Sequence, residues 1–396
     1  MSTGVTAPLG FRAAAVASGI KPDRLDLALV VADAGCTAAG VFTTNLAKAA
    51  PVVVSRDHLA SGRARAIVVN AGCANAGTGE AGLADARETA EIVAHTVGCR
   101  PEEVLVASTG VIGVRLPMER VRSGIAQAAR RISRHAGADA ARAIMTTDTK
   151  PKEVAVEFRV GDATCLVGGM AKGAGMIAPN MATMFCIITT DAAVESRSLA
   201  GLLRRAAGVS FNQMCIDNDM STSDSVICLA NGASGVPMLE PGTDDFAEFG
   251  VALINVCQEI AKALVRDGEG ATKFVEIVVT GTADDQEAKR IARAIATSQL
   301  CKTAFFGQDP NWGRIACAAG YAGVAFDPES ASIWIDDVQV MSGGMPARYE
   351  EAAAAACMRK PEFCIRVNVG DGPGTSVFWT SDLSHKYVEI NADYRT

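Results

Sequence analysis

Short apolar runs of strand length recur along this chain and alternate with segments of helical period. That alternation restricts its fold more than any other feature. LALVVAD (27–33), RAIVVNAG (65–72), EEVLVAS (102–108), FCIITTDAAV (185–194) and FVEIVVTG (274–281) read as strands. Val154, Val156 and Phe158 alternate as in a half-buried strand. Residues 82–98, 198–208 and 244–265 read as helices, and so does 117–144, with Val121, Ile125, Ala128 and Ile132 at helical spacing. The same reading makes strands of AAPVVVS (49–55), TAFFG (303–307), FCIRVNVG (363–370), TSVFWTS (375–381) and KYVEINADY (386–394). A helix opened by Thr282, with Asp285 three residues on, is expected between the strands at 274 and 303. The predicted class is α/β or α+β, with sheets sandwiched between helices. At 396 residues the chain exceeds the ~150 of a typical domain. A soft boundary near 275–282 divides it into residues 1–278 and a smaller C-terminal α/β domain, 279–396.

Charge excludes several roles. Lys and Arg number 37 and Asp and Glu 44, a net charge of −7. A nucleic-acid or anionic-membrane binder would need a basic face. No stretch of 18 apolar residues is present to span a membrane. The first 25 residues lack a basic segment followed by an apolar one, so a cytoplasmic protein is expected. Twelve cysteines include no CxxC pair and no His at zinc-ligand spacing, and most sit in apolar runs. They read as buried free thiols in a reducing compartment. With four His in the chain, no metal site is expected.

Chemistry concentrates in GGMAKGAGMIAPNMATMFCIITTDA, residues 168–192. GAGMIA (173–178) matches GxGxxA, but no strand-to-helix context surrounds it and Pro179 follows at once. Lys172 precedes Gly173, the wrong order for a phosphate loop. No GxSxG elbow is present. Thr183 remains as a candidate nucleophile, though on its own residues it reads as an ordinary strand Thr.

KGAGMIAPNMATM (172–184) resembles the signature of the ornithine acetyltransferase (glutamate N-acetyltransferase) family. AAGVFTTN (38–45), VNAGCANAGTG (69–79), ASTGVIG (107–113), MTTDT (145–149), DGEGATK (267–273), KTAFFGQDPNWGRI (302–315) and EINADYRT (389–396) resemble further blocks of that family, in family order. Two places depart from it. DNDMSTSD (217–224) stands where DGDxSTND is expected, and Gln308 where Glu is expected.

The resemblance implies a self-processing acyltransferase with an N-terminal-nucleophile-like fold. Cleavage between Ala182 and Thr183 would give chains 1–182 and 183–396, and an α₂β₂ assembly. The hydroxyl of Thr183 would attack while its new α-amine, with an ordinary pKa of ~7.7, takes the proton. An amide nitrogen in an uncut chain is no base, so cleavage creates the catalyst. Thr109 and Gly110 would form the oxyanion hole. Thr146, Lys172, Thr183, Glu269, Asn391 and Thr396 would bind substrate. A Lys suits the carboxylate and a Glu the ammonium of a small amino acid. Lys172 would also depress the amine of Thr183 by like-charge repulsion. Residues 391 and 396 must then fold back or cross to another subunit. The implied reaction moves acetyl from N-acetylornithine to glutamate without a metal or organic cofactor. The resemblance leaves open whether acetyl-CoA is also a donor. Two other readings stay open: an N-terminal-nucleophile aminopeptidase or amidase, and a non-processing ligand-binding relative.

Overall fold

The computed structural model describes residues 4–178 and 184–393. The chain forms β1 (Phe11–Val16), β2 (Leu27–Phe42), α1 (Ala50–His58), β3 (Arg63–Cys73), α2 (Gly79–Val97) and β4 (Val104–Val111). Next come α3 (Met118–Ala129), α4 (Gly137–Ala143), β5 (Lys152–Val160), β6 (Ala163–Lys172) and β7 (Phe185–Thr190). Then follow α5 (Ser196–Gly208), β8 (Met214–Cys215), β9 (Ser225–Ala230), α6 (Asp244–Arg266) and β10 (Phe274–Gly281). The last part holds α7 (Asp285–Thr297), α8 (Gln299–Gly307), α9 (Trp312–Gly320), β11 (Ser332–Ile335), β12 (Val338–Ser342) and β13 (Met345–Pro346). It ends with α10 (Glu351–Arg359), β14 (Glu362–Asn368), β15 (Gly372–Ser381) and α11 (His385–Ala392).

Two mixed sheets result. The first has the order β4-β3-β2-β9-β7-β6-β5, with β1 added to β2, and the second the order β13-β12-β11-β14-β10-β15-β8. The apolar runs are continuous because both faces of the central strands are covered. On β7, Cys186 and Ile188 enter the core under α5 and α6, while Phe185 and Ile187 enter the core beside α4. Each fully buried Ile contributes about 1.5–3 kcal/mol. Helix α6 packs on β5 and β6 of the first sheet and on β8 and β15 of the second. The side chain of Thr243 accepts the Phe246 N–H at its start, and Asp244 and Asp245 complement its dipole. Phe249, Leu253, Val256, Ile260 and Leu264 make its buried stripe. The architecture is the expected α/β one, with sheets between helices. Position 278/279 falls inside β10, a single strand of the second sheet.

Five expectations are corrected. Residues 49–55 start helix α1, with Pro51 in its first turn and Val52 and Val54 buried; packing overrides the strand preference of the Val run. Residues 303–307 lie in α8, capped by the Ser298 side chain. Residues 385–392 form α11 rather than a strand. The single helix over 117–144 is two, α3 and α4, interrupted where Ser133 bridges to Ala13 of β1. The cap of α7 is Asp284, whose side chain accepts the Glu287 N–H, and not Thr282. All twelve cysteines are free and eight of them are buried. Burial pushes the Cys36 thiol up to about 12 and the Cys215 thiol up to about 11.

Candidate active site

Glycine builds the wall of the site. In the parallel pairing of β3 with β4, Gly72 lies opposite Gly110 and Ala71 opposite Thr109. Gly110 has φ +129°, and a Cβ there would sit 2.3 Å from the carbonyl carbon of Gly72. Only glycine fits. Beside it, the Thr109 hydroxyl oxygen accepts a hydrogen bond from Lys172 Nζ at 3.2 Å. Its own O–H is thereby left to donate elsewhere.

Lys172 closes β6 and is buried. Burial lowers its pKa; Asp148 opposes that shift and Lys152 adds to it. Asp148 organises this corner. Its carboxylate accepts the N–H of Thr146 at 2.9 Å, the N–H of Gly173 at 2.7 Å and the ammonium of Lys152. Burial works against its ionisation, yet Lys172, Lys152 and the Gly173 N–H together hold it down to about 2. Lys152 also pairs with Asp267, which in turn accepts from Thr149. The loop 145–149, the end of β6 and the loop after α6 are thus clamped by one buried ionic cluster.

The loop after α6 carries Glu269. Its N–H donates to Ala174 O at 2.7 Å. Its carboxylate fills the space a Cβ on Gly175 would need, 2.3 Å from Oε2. Asn391 on α11 donates to that carboxylate at 2.8 Å. The chain end therefore folds back within its own subunit as far as residue 391. Tyr387 donates to Asp217 at 3.2 Å, and the Ser384 hydroxyl donates to Gly270 O. Burial raises the pKa of Asp217.

These elements enclose a cavity of about 370 Å³ that Thr109, Gly110, Thr146, Lys172, Glu269 and Asn391 all line. Six of the expected site residues are thus brought together. Ala182, Thr183 and Thr396 lie outside the described residues. Met184, the next residue after Thr183, lines a small adjoining cavity with Thr109, Lys172 and Asp224. Its N–H donates to Asp224 Oδ1 at 2.9 Å.

Reading the sequence missed Asp148, Lys152 and Asp224, and also Ser221, Thr222 and Ser223, which line the larger cavity. For all but Lys152 the signal lay in MTTDT and DNDMSTSD, whose Asp148 and Asp224 are buried. Asn218, where the family block has Gly, adopts φ +66°, a conformation Asn tolerates better than most residues. Gln308 caps the C-terminal end of α8. Among the described residues no cluster of three or more His, Cys, Asp or Glu is placed to hold a metal ion.

The glycine wall, the Thr–Lys pair and the carboxylate across the cavity suit acyl transfer on a small amino acid. The chain belongs to the ArgJ family, whose model matches residues 12–396. It is 48% identical over 399 residues to the arginine biosynthesis bifunctional protein ArgJ of Symbiobacterium thermophilum, covering 100% of this chain and 99% of that protein. It is 51% identical over 389 residues to the protein of the same name from Geobacter sulfurreducens, covering 98% and 99%. A crystal structure of arginine biosynthesis bifunctional protein argJ from Bacillus halodurans is similar with a TM-score of 0.52 and 41% identity. It covers 52% of this chain and 98% of that one.

Proposed function

We infer that this chain is an acyltransferase of arginine biosynthesis, a glutamate N-acetyltransferase that moves acetyl from N-acetylornithine to glutamate. One observation carries the reading. Thr109, Gly110, Thr146, Lys172, Glu269 and Asn391, scattered over the sequence, share one cavity sized for a small amino acid. Self-processing comes first. The Thr183 hydroxyl attacks the Ala182 carbonyl, the amide becomes an ester, and water hydrolyses it, freeing the α-amine of Thr183. That a solved relative is matched almost fully by about half of this chain supports two fragments of comparable size.

The transfer is ping-pong. Thr183 Oγ attacks the acetyl carbonyl while the α-amine takes its proton. Thr109 O–H and Gly110 N–H meet the developing oxyanion. The C–N bond breaks, the proton passes to the departing amine, and ornithine leaves an acetyl ester behind. The amine of glutamate attacks that ester, and Thr183 is regenerated. The hydroxyl carries the acetyl group, so neither step calls for a metal or organic cofactor. Acetyl-CoA as an alternative donor would serve a second activity, in keeping with the bifunctional relatives. Lys172 faces substrate carboxylate and Glu269 substrate ammonium. An α₂β₂ assembly in the cytoplasm completes the reading. No helix among the described residues is long and apolar enough to cross a membrane.

The test is N-acetylornithine with and without glutamate, following ornithine, N-acetylglutamate and free acetate. N-Acetylglutamate formed in step with ornithine supports the transferase. Steady acetate release without glutamate would make the chain an amidase instead.

A further inference from the structure

The proposed transfer poses a charge problem. N-Acetylornithine ends in an ammonium and glutamate ends in a carboxylate, yet both must place their α-nitrogen beside the acetyl carbon that Thr183 takes up and gives back. A carboxylate that welcomes one side chain repels the other. The main cavity is balanced for a zwitterion, with one buried Lys and one Glu on its walls.

A second cavity of about 260 Å³ shares Gly110, Thr146 and Thr147 with the first. Its charge is different. Lys21 and Arg24 line it, and no acidic side chain does among the described residues. Lys21 Nζ donates to Met145 O at 2.8 Å, which leaves two of its three donors. The fully buried Asp26 accepts the backbone N–H groups of Ser18 at 2.6 Å and Lys21 at 2.8 Å, one on each oxygen. Arg24 is exposed and forms no ion pair or side-chain hydrogen bond with the described residues. Burial and then the charge of Arg24 lower the Lys21 pKa to about 8, against the opposing charges of Asp26 and Asp148. Gly72 and Gly110 both line this second cavity. A Cβ on Gly72 would meet Lys21 Cγ at 2.9 Å, so glycine lets the lysine stem lie against the strand that carries the site.

We propose that the Lys21–Arg24 cavity binds the side-chain carboxylate of the acceptor amino acid, while Glu269 binds the side-chain ammonium of the donor. The proposal rests on the acetyl-transfer reading above. It gives each half-reaction its own charged subsite around one nucleophile, so donor and acceptor need not compete for the same counter-ion.

The experiment uses the processed full-length protein with Arg24→Gln, Arg24→Lys and Lys21→Gln. KM is measured separately for N-acetylornithine and for glutamate, with glutamine as the neutral acceptor of nearly the same shape. Arg24→Gln should raise KM for glutamate about tenfold or more and shift KM for N-acetylornithine less than about twofold. The preference for glutamate over glutamine should fall by the same factor, and Arg24→Lys should keep most of it. Lys21→Gln should act in the same direction. Equal changes for both substrates, or no change for either, would overturn the proposal. So would an effect confined to reactions with acetyl-CoA, because phosphate would then be the anion held. Failure of the wild type to transfer acetyl to glutamate would instead remove the underlying reading, and the two failures are read from different samples.

Discussion

Asn391 donates to the carboxylate of Glu269 at 2.8 Å across 122 residues of sequence, and so ties the last helix to the cavity. None of the residues of α11 is buried, so the helix adds little to the core. Deleting residues 391–396 should therefore cost far more activity than stability. We expect the melting temperature to move by a few degrees at most, while kcat/KM for N-acetylornithine falls at least tenfold. A loss of melting temperature in proportion to activity would show that the tail is merely structural.

Thr183→Ala should remain a single chain of 41.0 kDa, while the wild type separates into 182 and 214 residues. Intact mass and N-terminal sequencing decide it. A folded wild-type protein that stays whole would remove the free amine on which the proposed chemistry depends.

Thr109→Val keeps the shape of the side chain and removes the hydroxyl. The loss of one oxyanion donor should lower kcat by ~10²–10³ with KM nearly unchanged. Gly110→Ala should be worse, because its Cβ would collide with the backbone of Gly72 in a positive-φ conformation. It should lose melting temperature as well as rate. Equal rates for Thr109→Val and wild type would place the oxyanion elsewhere.

Asp148 is an acid whose folded pKa, about 2, lies below its ordinary value. Its contribution to stability is complete above about pH 4 and is lost as pH falls toward 2; the shift amounts to about 2 kcal/mol. Asp148→Asn should lose at least that at neutral pH, since Lys152 and Lys172 then share a weaker partner. The gap between variant and wild type should narrow toward pH 2. Urea unfolding between pH 2 and 7 tests this, and parallel curves would show that the carboxylate contributes no such term.

Of the first sheet, β2, β3, β4, β5 and β7 were legible, β7 because it is buried on both faces and needs an unbroken apolar run, whereas β1, β6 and β9 were not read as strands. The sequence misled where local preference and packing disagree. The valines of α1 would suit a strand, yet Pro51 and the space beside β4 and α2 make them helical. The short β11, β12 and β13 are too brief to give a period. In the site, residues carried by whole motifs were legible. The Lys152–Asp148–Asp267 cluster was not, since Asp267 lies 115 residues from Lys152 and only the fold reveals that one ammonium serves two carboxylates. Lys21 and Arg24 were equally silent, being ordinary charges in an N-terminal loop.

The strand order of the first sheet would hold the two proposed products together. A break after residue 182 assigns β4-β3-β2 and β6-β5 to one product, and β9-β7 to the other, as a wedge between them. Antiparallel ladders form both seams, β2 with β9 and β6 with β7. The second sheet lies wholly in the 183–396 piece, but neither piece holds the first sheet entire, so such a scission would have to follow assembly. A protein so cut would unfold as one body but have to refold as two, at a rate that depends on concentration. Its persistence would then rest on never fully opening, and its synthesis as one chain would supply, once, a proximity that cannot be recovered.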